Sequence, residues 1–253
     1  MNPLELYKKL PKKNCGKCSL KTCMPFALAV VKGDADLAEC PLLTEAEREE
    51  LRGSLVLSDW REELILKLRE VIKGIRFSEV AEGIGAKTEG DGLVLKCFGR
   101  EFRISPEGDI TTQGRMTPWI KILILHYIRT SGKGPLVGRH VSFSELRGGM
   151  VKASSFEREC EEPLRGLFEN NYEKTAQVLG RMGRLQDKGF PTAHAWELFL
   201  LPKVPLLILY WPRDEEFPAK VKMLFDASAD RFLDVESLIF LVEGLVKNIE
   251  MSH

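Results

Sequence analysis

Asn14-Cys-Gly-Lys-Cys-Ser-Leu-Lys-Thr-Cys23, answered by Glu39-Cys40-Pro41, divides this chain into a short ligand-bearing segment and a long remainder. Cys15, Cys18, Cys23 and Cys40 are separated by two, four and sixteen residues, whereas Cys97 and Cys160 stand alone. Two cysteines two residues apart can turn both sulfurs to one side of a loop, and Gly16 between them allows tight backbone conformations. A third thiol follows in the same loop, and a fourth returns after an interval of helical length. Four cysteines so close together are improbable as packing residues; they form a ligand set for a soft metal centre. A cubane iron–sulfur cluster needs one thiolate at each of four irons, and structural zinc takes the same four. The spacing leaves both open.

The flanks are consistent with a small helical module. Leu4–Leu10 reads as a short helix stopped by Pro11, and Met24–Lys32 as a second helix with Gly33 placed to end it. Between Tyr7 and Met24 lie Lys8, Lys9, Lys12, Lys13, Lys17 and Lys21 and no acid. This basic rim would offset the negative charge of a thiolate-bound cluster.

The 253 residues, 44% apolar and 29% charged, suit a globular chain of one large or two smaller domains. A formal net charge of zero gives no global reason for binding nucleic acid or an anionic membrane. No leader is read at the N-terminus, and no apolar run approaches the roughly 20 residues that span a bilayer. The expected compartment is cytoplasmic, where thiols stay reduced and clustered cysteines favour metal over disulfide.

The organisation expected is α+β: a small helical iron–sulfur module at 1–43, connecting helices at 44–76, and a mixed domain at 77–253 with antiparallel hairpins packed on helices. Thr44-Glu-Ala-Glu47 is a capping box that starts a helix running to Gly53. Ser58 or Asp59 can cap the next helix, whose apolar positions Trp60, Leu64, Leu68, Val71 and Ile75 recur every three or four residues. The period then changes to two. Leu93–Phe98 and Glu101–Ile104 flank Gly99-Arg100 as a hairpin loop, and Ile110 begins a third strand. Thr117-Pro118 opens a helix, Trp119–Thr130, apolar on nearly every side. The glycine-rich stretch 132–149 fits neither a P-loop nor a dinucleotide fingerprint and contains a short strand, His140–Phe143. Helices Ser154–Asn170 and Tyr172–Met182, strands Ala195–Leu201 and Val204–Tyr210, and a final helix Val235–Ile249 complete the chain. Cys97 in a strand, and Cys160 among acids, read as packing residues without the electropositive setting of a reactive thiolate.

A second candidate site is weaker. Asp214, Glu215 and Glu216 leave the end of a buried strand, Asp226 and Asp230 follow, and His126 lies on the buried helix. Such groups can bind a hard metal or exchange protons; helix capping and a solvated turn are the favoured account of the acids. His140 and His194 are further candidates for the same convergence. Trp119, Trp196, Trp211 and Tyr210 could line a pocket for a planar cofactor, although packing accounts for each.

The pattern Asn14-Cys-Gly-x-Cys-x4-Cys-Met-x-Phe-Ala27, followed by a glycine and Cys40-Pro41, resembles the four-cysteine [4Fe–4S] domain of several anaerobic proteins. Among them are the large subunit of the corrinoid iron–sulfur protein and the B subunit of the Rnf complex. The resemblance covers about Leu4–Leu43. It implies one low-potential, oxygen-sensitive [4Fe–4S] cluster on Cys15, Cys18, Cys23 and Cys40, carrying one electron at a time from a ferredoxin-like donor or other redox partner protein. By association it also makes a corrinoid a candidate second cofactor. Neither the corrinoid-binding domains of the first protein nor the further ferredoxin motifs of the second are found. The remainder resembles an uncharacterised domain family of anaerobic bacteria and archaea, through Leu123-Ile-Leu-His-Tyr-Ile128, Val141-Ser-Phe-Ser-Glu-Leu-Arg-Gly148 and Pro205–Asp226; that resemblance implies no activity. The leading expectation is an iron–sulfur redox protein. Its rivals are a binding or assembly module with a structural cluster or zinc, and an enzyme using the acids around Asp214 and Asp226.

Overall fold

The computed structural model describes residues 3–55, 60–114, 116–186 and 189–252. They divide into two compact units, Met1–Leu66 and Lys67–His253.

In the first unit, α1 (Pro3–Lys9) and α2 (Cys23–Lys32) are followed by α3 (Glu45–Ser54) and by α4 (Trp60–Ile72), which runs on past the unit boundary. Leu6, Leu10, Phe26, Ala27 and Val30 bury the facing sides of α1 and α2, and Leu51 and Leu55 bring α3 into the same core. α3 is therefore part of this unit's packing and not only a connector. α2 stops where Gly33 turns left-handed at φ 74°, its N–H and that of Asp34 returning to the carbonyls of Val30 and Ala29. The capping box of α3 is complete: Glu47 N–H donates to Thr44 Oγ1 at 3.3 Å and Thr44 N–H to Glu47 Oε2 at 2.8 Å. The anticipated caps Ser58 and Asp59 lie outside the described residues.

The second unit is α+β. After the single turn α5 (Phe77–Val80) comes an antiparallel meander of β1 (Lys87–Glu89), β2 (Gly92–Cys97), β3 (Arg100–Ile104) and β4 (Ile110–Thr112), in that spatial order. Leu93, Leu95, Cys97, Phe102 and Ile104 alternate inward, as period two requires. The hairpin loop lies one residue earlier than expected. Cys97 pairs with Arg100, so the loop is Phe98-Gly99 rather than Gly99-Arg100. Both loop residues are left-handed, φ 51° and 74°, the form whose twist matches the strands. Glycine takes the second loop position, and Phe98 accepts a disfavoured conformation while its N–H donates to the Leu200 carbonyl at 2.9 Å.

α6 (Pro118–Thr130) starts on Thr117, whose Oγ1 accepts from Ile120 N–H, and buries Ile122 through Leu125, Tyr127 and Ile128. After β5 (His140–Ser142) the chain forms α7 (Gly149–Phe156), a π-helical turn Glu157–Glu161, and α8 (Glu162–Asn170). The helical run begins five residues before the Ser154 expected, because Gly149 fits where a Cβ would lie 1.8 Å from the Phe143 carbonyl oxygen. The extra residue of the π turn accompanies an inward Glu161, which accepts from Met223 N–H at 2.9 Å and pairs with Lys222 at 2.6 Å. α9 (Tyr172–Met182), β6 (Arg184–Leu185), β7 (His194–Leu201), β8 (Val204–Trp211), β9 (Lys220–Asp226) and α10 (Val235–Glu250) follow. The second sheet is antiparallel throughout, in the order β5-β9-β8-β7-β6. β8 is buried from Val204 to Tyr210, and α10 packs against α6, α7, α8 and α9. Among the described residues no helix is long and apolar enough to cross a membrane.

One buried hydroxyl ties three segments together. Tyr127 Oη donates to the Ile84 carbonyl at 2.6 Å and accepts from Lys203 N–H at 3.0 Å. Tyr127→Phe leaves both backbone groups without this partner and should cost about 1–3 kcal/mol of stability, read as a lower urea midpoint. An unchanged midpoint would remove Tyr127 from this role.

Candidate metal centre

The cysteine loop is wound tightly, with Lys12, Asn14 and Gly16 all left-handed. Asn14 stabilises the wind: its Oδ1 accepts from Cys23 N–H at 2.9 Å. That bond satisfies a free N–H at the start of α2, where Thr22 makes no side-chain cap. Cys40 comes from a separate device. It follows the 3₁₀ turn Leu37–Glu39, closed by reciprocal bonds from Ala38 N–H to Asp36 (2.7 Å) and from Asp36 N–H to Glu39 (2.8 Å). α3 grips this turn, Arg48 Nη2 donating to the Cys40 carbonyl at 2.9 Å and Arg52 pairing with Asp36 at 2.9 Å. Asp36 is held below the usual carboxylate range by the Ala38 N–H and Arg52, and Glu39 by Ser19 and the Asp36 N–H.

These supports bring all four thiols to one hollow of about 10 Å³, which Pro11, Asn14 and Gly16 also line. Cys15 is exposed, Cys18 half-buried, and Cys23 and Cys40 buried. Burial, then Cys40, Cys15 and Cys23, push the Cys18 thiol up to about 11. The neighbouring thiols thus oppose ionisation of Cys18, and a cationic metal would reverse that balance. The donor set therefore fits a thiolate-ligated centre. Among the described residues, no three side chains of His, Cys, Asp or Glu converge as ligands of a single metal ion. The six lysines of the rim are exposed, and none joins an ion pair among the described residues. Arg48 carried no sequence signal, because a bond to a carbonyl eight residues back leaves no periodic trace.

The second set of residues is not gathered together. Asp214 Oδ1 accepts from Glu216 and Phe217 N–H at 2.9 and 2.7 Å, closing a turn in which Glu215 and Glu216 are exposed. Asp226 is buried, and its oxygens accept from Val137 N–H (3.0 Å), Gly138 N–H (2.6 Å), Ser228 N–H (2.9 Å) and Ser228 Oγ. Trp211 pairs with Lys220 and Leu206 with Phe225, so Asp214 and Asp226 leave opposite ends of one ladder, about 20 Å of strand apart. His126 Nδ1 lies 3.2 Å from Arg129 and 3.9 Å from Asp234; burial and Arg129 lower its proton affinity. His194 Nδ1 meets the Tyr172 hydroxyl at 2.7 Å, and His140 packs edge-on to Phe190. Trp196 and Tyr210 stack on Phe168, and Trp119 stacks on Phe240. Trp211 packs on the small cluster of Ala195, Leu207 and Leu209. Cys97 and Cys160 are buried; burial pushes the Cys97 thiol up to about 12 and, with Glu243, raises that of Cys160 as well.

Comparison with known families and proteins separates the same two regions. Residues 76–248 match the family described as "Domain of unknown function (DUF3786)", and residues 10–42 match that described as "Putative Fe-S cluster". The corrinoid/iron-sulfur protein large subunit of Moorella thermoacetica is 52% identical over 48 residues, 19% of this chain and 11% of that protein. The acetyl-CoA decarbonylase/synthase complex subunit gamma of Methanothermobacter thermautotrophicus is 40% identical over 52 residues, 21% of this chain and 11% of that protein. Subunit gamma 1 of that complex from Methanosarcina thermophila is 33% identical over 95 residues, 38% of this chain and 18% of that protein. The chain thus spans less than a fifth of each relative. No solved structure matches it. Over residues 10–42 the N-terminal segment is similar to that iron–sulfur cluster family.

Asp226 gives a pH test. Burial alone would raise its pKa, but the hydrogen bonds from Ser228, Val137 and Gly138 outweigh it and leave the folded value below the usual one. Its stabilisation is therefore complete above the unfolded carboxylate pKa and lost as pH falls through the folded value. Asp226→Asn should cost about 2–3 kcal/mol at neutral pH and flatten the loss of melting temperature as pH falls below about 4. Parallel pH profiles for parent and variant would contradict this.

Proposed function

The chain belongs to the DUF3786 family, and on that premise we propose that it is an iron–sulfur redox protein whose Cys15, Cys18, Cys23 and Cys40 hold one [4Fe–4S] cluster. The observation that carries this reading is the approach of all four thiols to one hollow. Such a cluster supplies storage and release of a single electron. The chain's own residues would prepare its place. Cys23 sits at the positive end of α2, Asn14 fixes the loop around it, and Arg48 with Asp36 holds the Cys40 turn. Room for a cubane comes from the loop 11–22, exposed along most of its length, rather than from the small hollow itself.

The lysine rim, Lys8 through Lys21, suits an acidic partner face such as that of a ferredoxin-like donor in a reducing cytoplasm. The two kinds of relative are named for a corrinoid/iron-sulfur protein and for an acetyl-CoA decarbonylase/synthase complex. That supports a place in corrinoid-linked anaerobic metabolism, with a corrinoid as the eventual electron acceptor. The module at 1–43 takes the electron, residues 44–76 connect, and the domain at 77–253 directs it onward. A second reading, a binding or assembly module with a structural centre, has its own support: Cys23 and Cys40 belong to the first unit's hydrophobic core. Asp214 and Asp226 receive no role in either, because the hydrogen bonds of their own backbone surroundings occupy them.

Anaerobically purified protein should contain iron and show a broad absorbance near about 400 nm that Cys18→Ala abolishes. Zinc without iron would overturn the proposal, and a cluster that dithionite cannot reduce would favour the structural reading. Replacing Lys12, Lys17 and Lys21 by Glu should slow electron uptake from an acidic ferredoxin about tenfold at low salt, with the cluster spectrum unchanged. An unaltered rate would remove the lysine rim as the docking face.

A further inference from the structure

Within the second unit, the outward faces of the two sheets border a cleft of about 650 Å³, inside the range of about 300–1,000 Å³ typical of small-molecule sites. On β7, Trp196, Leu198 and Leu200 point into the core, while Glu197 and Phe199 line the cleft. On β2, Leu93, Leu95 and Cys97 are buried and Lys96 faces outward. Two close approaches fix the walls. A Cβ on Gly183 would lie 2.3 Å from the Glu197 carbonyl oxygen, and one on Gly85 would lie 2.8 Å from Pro202 Cβ.

The lining charge is unbalanced. Lys87, Lys96, Arg181 and Arg184 all border the cleft. Among the described residues, none of their side chains makes an ion pair or hydrogen bond. Two acids share the lining: Glu101, opposite Lys96 on the β2–β3 ladder, pairs with Arg103 at 2.7 Å, and Glu197, opposite Arg184 on the β6–β7 ladder, accepts from Gln186 Nε2 at 3.2 Å. Beside the cations Phe199, 51% exposed, presents an aromatic ring to the cleft. Arginine forks match phosphate oxygens, and an open aromatic ring gives a flat heterocycle a surface to stack on.

We propose that this cleft is a binding site for a phosphorylated heteroaromatic ligand of mononucleotide size, its phosphate on Arg181, Arg184 and the two lysines and its ring on Phe199. The site goes beyond the electron-transfer reading and stands on residues outside the cysteine module.

The test uses the full chain, titrated anaerobically with AMP and FMN and, as dephosphorylated controls, adenosine and riboflavin. At least one phosphorylated probe should bind with a Kd below about 1 mM, about tenfold or more tighter than its control. The double variant Arg181→Ser, Arg184→Ser should erase that preference. Phe199→Ser should weaken probe and control alike by about tenfold. All three side chains are exposed, so melting temperatures should match the parent's. Binding by neither phosphorylated probe, or a double variant that binds them as the parent does, would overturn the proposal. The same titration of Cys18→Ala should give unchanged affinities, which separates failure of the cleft from failure of the cluster reading.

Discussion

Every residue of β8 from Val204 to Tyr210 is buried, so this strand must be covered on both faces, and the second unit is built around that need. One face meets Ala195, Leu224, Phe190 and Trp211 around Leu207 and Leu209. On the other, Tyr210 stacks on Phe168 of α8 at 4.2 Å, beside Trp196. α10 then closes over α6, α7, α8 and α9. Each fully buried large apolar side chain contributes about 1.5–3 kcal/mol. A strand with several of them can impose its neighbours more firmly than any local turn preference. Phe98 shows the consequence: it takes a left-handed conformation where the pairing of β2 with β3 demands it.

Polar groups enter this interior only when their bonds are complete. Tyr127 both donates and accepts, Glu161 takes a backbone N–H and an ammonium, and Asp226 takes four donors. The four cysteines and the cations of the cleft are the opposite case. Burial and the neighbouring thiols raise the pKa of Cys18, and Lys87, Lys96, Arg181 and Arg184 make no ion pair among the described residues. In this chain the two proposed ligand sites are places of incomplete electrostatics, not accumulations of acids.

Most of the elements were legible because their signals are local. Helix caps at Thr44, Thr117 and Gly33, and the alternation in β2 and β3, need only a few neighbouring residues. The four-cysteine pattern is likewise local. What sequence could not supply came from long-range contacts. β1 and β6 are two or three exposed residues with no period of their own. The π turn at Glu157–Glu161 accompanies a demand from β9, and the cleft combines β2, β7 and the end of α9. Asp214 and Asp226 looked like partners because they are close in sequence; antiparallel pairing sends them to opposite ends of a hairpin.

The pairing of β5 with β9, together with the grip of Asp226 on Val137 and Gly138, has a consequence in time. Early and late parts of the second unit depend on each other, so it cannot close until α10 has left the ribosome. The core around the cysteines needs only residues up to Leu55. At about 5–20 residues per second, the roughly 200 residues that follow take on the order of ten to forty seconds to synthesise. Throughout that interval the four thiols can already be arranged while most of the chain is unfinished. On the proposed reading, the nascent thiols are then open to cluster delivery, and to oxygen, before the second unit has been made.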